Sequence, residues 1–338
     1  MLLSYLHRVS SGEHLPSEDA HAAMLAILEG ESTTAQIAAF LVALRMKGEQ
    51  PEELLGFARA MREKSLRVQI SPDAGPLLDT CGTGGDGGGT FNISTIAAFV
   101  VAGAGIRVAK HGNRSLSGTC GSADLLEQFG VHLLVAPEAV AYAIGDAGIG
   151  FMFAPAFHPA MKHAQPARAE LKMRTAFNLL GPLVNPAAPT HQLIGAPSLQ
   201  TAGLLADVLA QLGSEHAFIV HGADGLDEVT TTGCTEVFEV SGSHVRRLVW
   251  QPADFGVETA RASDLAGGDP AENRRIAESI LNGERGPRRD IVLVNAAAAL
   301  LAAGAAGTIA EAMRLAADSL DSGAAGKKLE ALARLSRR

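Results

Sequence analysis

A run of six glycines within residues 82–89 constrains this chain more than any other feature. Because glycine has no Cβ, the backbone there can adopt positive φ and approach a ligand closely. Leu77 and Leu78 before the run are typical of the end of a short buried strand, and the Asn-Ile-Ser-Thr stretch at residues 92–95 predicts a helix start. A strand, a glycine-rich loop and a helix N-terminus in this order predict an anion-binding site, because unpaired N–H groups and the helix dipole face the ligand.

The charge around this loop supports the same interpretation. Residues 87–123 contain no Asp or Glu, although the whole chain of 338 residues carries a formal net charge of −8. The same window contains Arg107, Lys110 and Arg114. A glycine-rich surface turn is the alternative, but a long basic window in an acidic chain favours a substrate that carries several phosphates.

Neither of the two common phosphate-binding motifs fits the loop. Residues 82–87, Gly-Thr-Gly-Gly-Asp-Gly, match the spacing of the dinucleotide-binding fingerprint. However, the acid that this fingerprint requires about twenty residues later is missing. A P-loop would need Gly-Lys-Ser or Gly-Lys-Thr, and Gly87 is followed by two further glycines.

Composition excludes several classes of protein. With 47% hydrophobic and 19% charged residues, the chain can bury a large core in one or two domains. Aromatic residues make up only 4%, and the net charge is negative, so nucleic-acid binding is not expected. The three cysteines contain no CxxC pair, and the first residues lack the apolar core of a signal peptide. Apolar stretches are too short to span a membrane, and we expect a cytoplasmic protein.

The pattern of apolar residues along the chain changes near residue 70. Before it, only helical periodicity is present, at residues 17–28, 34–46 and 51–62. After the linker at residues 71–76, short apolar runs alternate with helical patterns, and two strand-like runs flank residues 241–243 as in a hairpin. The sequence therefore predicts an α/β fold: a small all-helical N-terminal domain, residues 1–70, and a larger α/β domain, residues 76–338, with a mostly parallel central sheet.

Individual elements of the larger domain can also be predicted. The strands are expected at residues 77–79, 107–109, 149–153, 193–196 and 217–221, with the hairpin at 235–240 and 244–250. Helices are expected between them, at residues 94–102, 122–129, 137–146 and 199–212. Alanine-rich helices follow from residue 271 to about 336, and residues 290–306 are expected to be a core helix without chemistry. Both glycine-rich loops would fall at the carboxyl ends of the strands, where such sheets bind ligands.

Three segments in this order carry a resemblance to a known family. They are the stretch 79–127, which includes KHGNR at 110–114 and GSAD at 121–124; the stretch His158 to Pro186; and HGADGLDEVTTTG at 221–233. Together they resemble the anthranilate phosphoribosyltransferase family over nearly the whole chain. The resemblance implies a fold of the nucleoside phosphorylase and phosphoribosyltransferase type, Mg²⁺ as cofactor, and a homodimer formed through the helical part. It also implies that part of residues 168–185 packs on the helical domain.

The resemblance assigns site residues. Anthranilate would contact Gly82, Asn113 and Arg168, with Arg174 as the second choice for its carboxylate. Ser94, Asp227 and Glu228 would hold the metal. Phosphoribosyl pyrophosphate would contact Gly82, Gly85, Asp86, Thr90, Asn92, Ile93, Ser94, Thr95, Lys110, His111, Gly112, Asn113, Arg114, Ser115, Leu116, Ser117, Gly118 and Ser122.

The residue types suit this chemistry. As pyrophosphate leaves the ribosyl C1, negative charge builds on it, so catalysis requires charge stabilisation and alignment of the nucleophile. We therefore expect no single catalytic residue, with Lys110 and Arg168 as the main contributors. His111 and His158 are possible proton acceptors, but an aromatic amine does not require a strong base, and we assign His111 only a minor substrate contact. Asp86 is best placed on a ribose hydroxyl or on backbone donors.

Some residues depart from the family pattern, and two alternative functions stay open. Thr119 and Cys120 stand where the family often has Lys-Ser, so one cation near the phosphates is missing. A pyrimidine nucleoside phosphorylase-like enzyme would leave the Asp227–Glu228 pair without a metal to bridge to pyrophosphate. A noncatalytic nucleic-acid-binding relative is expected to have lost this pair and gained basic surface.

Overall fold

Four helices come first in the computed structural model, which describes residues 1–71, 75–85, 87, 89–115 and 119–337. They are α1 (Leu2–Ser10), α2 (Ser17–Leu28), α3 (Thr34–Lys47) and α4 (Pro51–Glu63). The predicted apolar face of α2 is buried, and α4 begins with Pro51 in its first turn followed by Glu52 and Glu53. A capping box between Thr33 and Gln36 starts α3. Helix α1, which we did not predict individually, adds Leu2 and Val9 to the core.

A seven-stranded sheet follows, and the predicted α/β fold is confirmed. Its strands are β1 (Leu77–Gly82), β2 (Arg107–Gly112), β3 (Ile149–Phe153), β4 (His191–Gly195), β5 (His216–Gly222), β6 (Thr235–Ser241) and β7 (His244–Trp250). The spatial order is β3-β2-β1-β4-β5-β6-β7. The first five strands pair in parallel, and the predicted hairpin adds β6 and β7 antiparallel.

The chain order reverses between β1 and β4. From β1 the chain builds outward through β2 and β3, and then returns to place β4 on the other side of β1. The two strands stay paired to their last residues, where Gly82 lies opposite Gly195. Because this pairing continues to Gly82, β1 runs three residues further than predicted, into the glycine-rich run. Open parallel sheets bind ligands at such a switch point.

Helices cover both faces of the sheet. They are α5 (Ile93–Gly103), α6 (Ser122–Gln128), α7 (Pro137–Ala147), α8 (Ala154–Phe157), α9 (Gln165–Leu171), α10 (Phe177–Leu180), α11 (Leu199–Leu212), α12 (Pro270–Leu281), α13 (Pro287–Ala302), α14 (Ile309–Asp321) and α15 (Ala324–Leu335). One apolar core contains residues of α5 and α13–α15; a second joins α11 and residues 164–184 to the N-terminal helices. Within the described ranges, no helix has the length and apolarity needed to cross a bilayer.

Candidate functional site

Three loops meet at the carboxyl ends of the parallel strands. The glycine-rich loop, described at residues 83–85, 87 and 89, follows β1, and a second loop, described at residues 113–115 and 119–121, follows β2. The acidic loop, residues 223–229, follows β5. Because the strands are parallel, their carboxyl ends lie on one edge of the sheet, and the residues predicted for phosphate and metal come together there. Four of the predicted contacts, Asp86, Leu116, Ser117 and Gly118, lie outside the described residues.

Asp227 and Glu228, two of the three predicted metal ligands, contact the predicted phosphate-binding backbone. The backbone N–H of Gly84 donates to Asp227 Oδ2 at 3.0 Å. The backbone N–H of Ser94, in the first turn of α5, donates to Glu228 Oε1 at 3.1 Å. The two carboxylates therefore accept hydrogen bonds from the glycine-rich loop and from a helix N-terminus, which are the donors that suit an anion.

Two glycines make room for the acidic loop. A Cβ on Gly82 would lie 2.5 Å from Asp227 Oδ2, and a Cβ on Gly195 would lie 1.6 Å from the Asp227 carbonyl oxygen. These glycines face each other at the ends of β1 and β4. Asp227 thus rests directly on the switch point of the sheet, where any larger residue in either strand would displace it.

The glycine-rich loop uses the conformations that only glycine adopts easily. Gly84, Gly85, Gly87 and Gly89 have φ of 63°, 87°, 65° and 60°. Arg174 lies against this loop: its Nη2 donates to the Thr83 carbonyl oxygen at 3.1 Å, and a Cβ on Gly85 would lie 1.8 Å from its Nη1. Arg174, the second choice for the carboxylate of anthranilate, is therefore engaged with the phosphate-binding loop.

At Ile93 and Thr95, in the first turn of α5, the groups that can contact a ligand belong to the backbone and not to the side chains. Ile93 and Thr95 are each only 1% exposed, so they can contact a ligand through their N–H groups alone. Thr90 forms an isolated antiparallel bridge with Ala266.

Asn92 occupies the N-cap position of α5, as predicted, but its side chain does not cap the helix. Its Nδ2 donates to the Cys120 carbonyl oxygen at 3.0 Å, and its Oδ1 accepts from Asn273 Nδ2 at 3.1 Å. These partners, in the second loop and in α12, take both ends of the amide.

Two acidic residues of α6, Asp124 and Glu127, hold the second loop. They lie just after the window at residues 87–123 that contains no Asp or Glu. Arg114 forms ion pairs with Asp124 and Glu127 of α6. Asp124 Oδ2 also accepts from the backbone N–H groups of Ser115, at 3.1 Å, and Gly121, at 2.9 Å. These contacts fold the loop back onto the start of α6.

Three more predicted contacts lie in the same turn. The Asn113 carbonyl oxygen accepts a hydrogen bond from Ser122 Oγ at 3.2 Å. The side-chain Oδ1 of Asn113 accepts from the Arg114 N–H at 2.8 Å. A Cβ on Gly112 would lie 2.2 Å from Ser122 Oγ, so the strand end and the helix start touch. Asn113 and Ser122 are thus neighbours at the mouth of the site.

Lys110 lies beneath the loops, in β2. Its side chain is buried, and Nζ donates to the Thr80 carbonyl oxygen at 2.5 Å and to Thr80 Oγ1 at 3.3 Å. Burial lowers the pKa of Lys110, and the charge of buried Asp79 opposes this shift. Burial also raises the pKa of Asp79, which accepts hydrogen bonds from Asn185 Nδ2 and the His111 N–H. Asp79 and Asn185 were not predicted from the sequence, because their hydrogen bonds join segments that are far apart in the chain.

Two histidines pack together next to this network. The rings of His111 and His158 lie 5.2 Å apart, and both side chains are buried. His111 Nδ1 lies 3.3 Å from the Gly181 carbonyl oxygen, which makes Nδ1 the protonated nitrogen. The Nε2 atoms of both rings are buried without a hydrogen-bond partner. Such atoms are costly unless a ligand or water satisfies them, so they mark a polar contact site.

Both histidines are neutral in the folded protein. Burial lowers the pKa of His111 to about 3 and of His158 to about 4. The unfolded chain therefore binds more protons than the folded one below about pH 6.5, and stability falls as the pH falls toward these values. We expect the free energy of unfolding to drop by about 2 kcal/mol per histidine between pH 7 and pH 5.

Urea unfolding at several pH values checks this expectation. His158→Asn should remove about half of the acid-dependent loss, whereas His7→Asn, at an exposed position, should leave it unchanged. An unchanged pH profile in His158→Asn would contradict the assignment of a neutral buried pair.

Arg168 projects from α9 and is half-buried. Its Cζ lies 5.2 Å from the centre of the Phe177 ring, a cation–π contact that fixes the guanidinium plane. Burial lowers the pKa of Arg168, but arginine stays charged. Helix α9 packs against α3 of the N-terminal helices, and the planar guanidinium of Arg168 suits a carboxylate.

A metal ion would need oxygens from its substrate. Among the residues that the structure describes, no three His, Cys, Asp or Glu side chains gather as a metal-binding group. The acidic loop supplies two carboxylates, which is the number that Mg²⁺ commonly takes from a protein when phosphates and waters complete its shell. The donor set therefore fits a magnesium ion that arrives with a phosphorylated ligand.

The two cysteines near the site, Cys81 in β1 and Cys120 in the second loop, are not activated. Burial raises the pKa of Cys81 well above its usual value and raises that of Cys120 to about 11. Both thiols stay protonated at neutral pH.

Two family models match the chain. The model described as "Glycosyl transferase family, helical bundle domain" matches residues 3–65, and "Glycosyl transferase family, a/b domain" matches residues 74–326. Among curated relatives, the anthranilate phosphoribosyltransferase of Solibacter usitatus is 60% identical over 98% of each chain. That of Moorella thermoacetica is 52% identical over 98% of this chain and 97% of its own.

Solved structures give the same similarity. Anthranilate phosphoribosyltransferase from Thermus thermophilus has a TM-score of 0.93 and 42% identity, covering 98% of this chain and 99% of its own. The enzyme from Saccharomyces cerevisiae in complex with PRPP and Mg has a TM-score of 0.90 and 31% identity, covering 99% and 98%. A second yeast structure, in complex with 4-fluoroanthranilate, has a TM-score of 0.89 and 30% identity, again covering 99% and 98%.

Proposed function

Because the chain belongs to the anthranilate phosphoribosyltransferase family, we propose that the protein transfers the phosphoribosyl group of 5-phosphoribosyl 1-pyrophosphate to the amine of anthranilate. The products are N-(5-phosphoribosyl)anthranilate and pyrophosphate, in a step of tryptophan biosynthesis. One observation carries this proposal most directly: Asp227 and Glu228 meet the glycine-rich loop and the N-terminus of α5 at the switch point of the sheet.

The acidic loop would hold Mg²⁺ through Asp227 and Glu228, with the Ser94 hydroxyl as a further ligand. When bound, the ion neutralises charge on the pyrophosphate. The backbone N–H groups at residues 82–85 and at the start of α5 bind the phosphate oxygens. Gly84 and Ser94 also donate to the two carboxylates, so phosphate binding at these donors would require the carboxylates to move.

Arg168 would bind the carboxylate of anthranilate as a fork, with its plane fixed by Phe177. Asn113 and the Gly82 backbone lie at the neighbouring strand ends. The Nε2 atoms of His111 and His158, which are buried without a hydrogen-bond partner, offer further polar contacts for a substrate. His158 therefore joins His111 as a proposed substrate contact.

The reaction needs alignment more than a base. The amine nitrogen attacks C1 of the ribose as the bond from C1 to pyrophosphate breaks, and the electron pair leaves with pyrophosphate. The nitrogen loses its proton to water late, because an aromatic amine becomes acidic only once its bond to C1 has formed. Positioning by Arg168 and charge stabilisation at pyrophosphate thus supply the rate enhancement. A contribution of Lys110 stays a prediction, because its ammonium donates to Thr80.

The decisive assay follows anthranilate fluorescence. Mixing the protein with anthranilate, phosphoribosyl pyrophosphate and Mg²⁺ should remove the fluorescence, and a chelator should prevent the loss. The phosphorylase-like alternative predicts release of free base from a pyrimidine nucleoside and phosphate, measured in parallel. Activity only in the second assay would refute the proposal.

We also propose the domain division at residues 1–70 and 76–338, supported by the two family-model matches on either side of the linker. Homodimer formation through the helical part is supported by exposed apolar side chains there, Leu3 at 46% and Met46 at 84%. A cytoplasmic location is supported by the three free cysteines.

Thr119 offers a test of the missing cation. Its Oγ1 donates to the Gly268 carbonyl oxygen at 2.7 Å, so it joins the second loop to the segment before α12. Thr119→Lys should lower KM for phosphoribosyl pyrophosphate severalfold, because a cation near the phosphates is worth about 1 kcal/mol when exposed. Thr119→Val, which loses the hydrogen bond without adding charge, is the control; equal KM values for Thr119→Lys and wild type would show that this cation is unimportant.

A further inference from the structure

Helix α13 is deeply buried, and its apolar composition indicates a role only in packing the core. Nearly all of its residues from Ile291 to Ala302 are buried, and most are alanine, valine or leucine. Asn295 interrupts this apolar run and is 0% exposed. A buried amide is unfavourable unless its donor and acceptor are both satisfied, so its partners explain why it is there.

Those partners lie in the acidic loop. The Val229 N–H donates to Asn295 Oδ1 at 2.9 Å, and Asn295 Nδ2 donates back to the Val229 carbonyl oxygen at 2.9 Å. A third bond, from Nδ2 to the Ile291 carbonyl oxygen at 2.9 Å, fixes the amide to its own helix. One side chain in the core thus satisfies both backbone groups of a buried residue outside any strand.

Val229 directly follows Glu228. The Asn295 clamp therefore fixes the backbone at the carboxyl side of the two predicted metal ligands. At the other side, Asp224 accepts from the Leu226 N–H at 3.1 Å and from the hydroxyls of Thr230 and Thr232. The loop is anchored at both ends, and its middle rests on Gly195.

We propose that Asn295 is a positioning residue for the metal site, which sets where the Asp227 and Glu228 carboxylates stand by holding the Val229 backbone. This inference rests on the proposed function, because it assumes that these carboxylates hold the metal. Partners behind metal ligands commonly change metal affinity by 10- to 100-fold when they are removed, about the range to expect here. Helix α13 packs against β4 and β5, so the same core that supports the sheet also orients the ligands.

The test measures metal binding directly. Free Mn²⁺ is followed by electron paramagnetic resonance while it is titrated onto the protein with inorganic pyrophosphate present. Asn295→Ala should raise the Mn²⁺ dissociation constant about tenfold or more. Ser319→Ala is the matched control, since Ser319 is also buried and its Oγ donates to the Val100 carbonyl oxygen at 2.7 Å in the same core. It should lose comparable stability without changing Mn²⁺ affinity.

The outcomes separate the inference from its premise. Mn²⁺ affinity in Asn295→Ala within twofold of wild type would overturn the positioning role, and the same criterion applies to Asn295→Ser if the alanine variant does not fold. Equal losses of affinity in Asn295→Ala and Ser319→Ala would also overturn it, because general destabilisation would then explain both. If Asp227→Asn with Glu228→Gln binds Mn²⁺ as wild type does, the metal assignment itself fails.

Discussion

Asp227→Asn combined with Glu228→Gln should abolish Mg²⁺-dependent turnover while the protein stays folded. The two substitutions keep the shape of the side chains and remove both charges that would bind the ion. We expect kcat/KM to fall by at least about a thousandfold, the scale of about 4 kcal/mol of transition-state stabilisation. Initial rates at rising Mg²⁺, with circular dichroism as the check on folding, measure the effect.

The structure also predicts how these carboxylates affect pyrophosphate binding. They accept hydrogen bonds from Gly84 and Ser94, the donors proposed for phosphate, so their negative charge opposes the binding of an anion there. Without metal, the double variant should therefore bind pyrophosphate more tightly than wild type in a calorimetric titration. Asp207→Asn with Glu330→Gln removes equal charge from exposed positions and should change neither result. Undiminished turnover of the double variant at limiting Mg²⁺ would remove the metal assignment.

Arg168→Ala should raise KM for anthranilate by about 10- to 100-fold, because a charge-assisted hydrogen bond contributes about 1.5–3 kcal/mol. KM for phosphoribosyl pyrophosphate should change by less than about threefold, since the glycine-rich loop lies on Arg174 instead. Steady-state rates with each substrate varied in turn give both constants.

Controls for this prediction lie close by. Glu170→Ala changes an exposed side chain of the same helix and should leave both constants unchanged. Arg168→Lys keeps the charge but loses the planar fork, and it should recover only part of the affinity. Equal increases in both KM values for Arg168→Ala would count against a carboxylate clamp.

Local patterns predicted most of the secondary structure. Helices α2 and α11 and strand β3 have the predicted bounds. Their apolar periodicity and the glycines or prolines that flank them are local signals, and these are enough to define both ends. Strands β4 and β5 begin earlier than predicted, at His191 and His216, since the pairing of these two residues with each other extends the ladder beyond the apolar runs. Such pairing depends on a distant partner, which periodicity cannot reveal.

The sequence by itself determined the class of fold, the glycine-rich phosphate loop, the acid pair and the family, because each can be recognised from residues that are adjacent in the chain. Only the tertiary structure decided that Asp227 rests on Gly82 and Gly195, that Arg174 lies on the glycine-rich loop, and that Asn295 holds the backbone beside Glu228. The physical reason is the same in each case. Polar groups that become buried need hydrogen-bond partners. Those partners come from segments that are far apart in the sequence and meet only when the sheet and its helices pack.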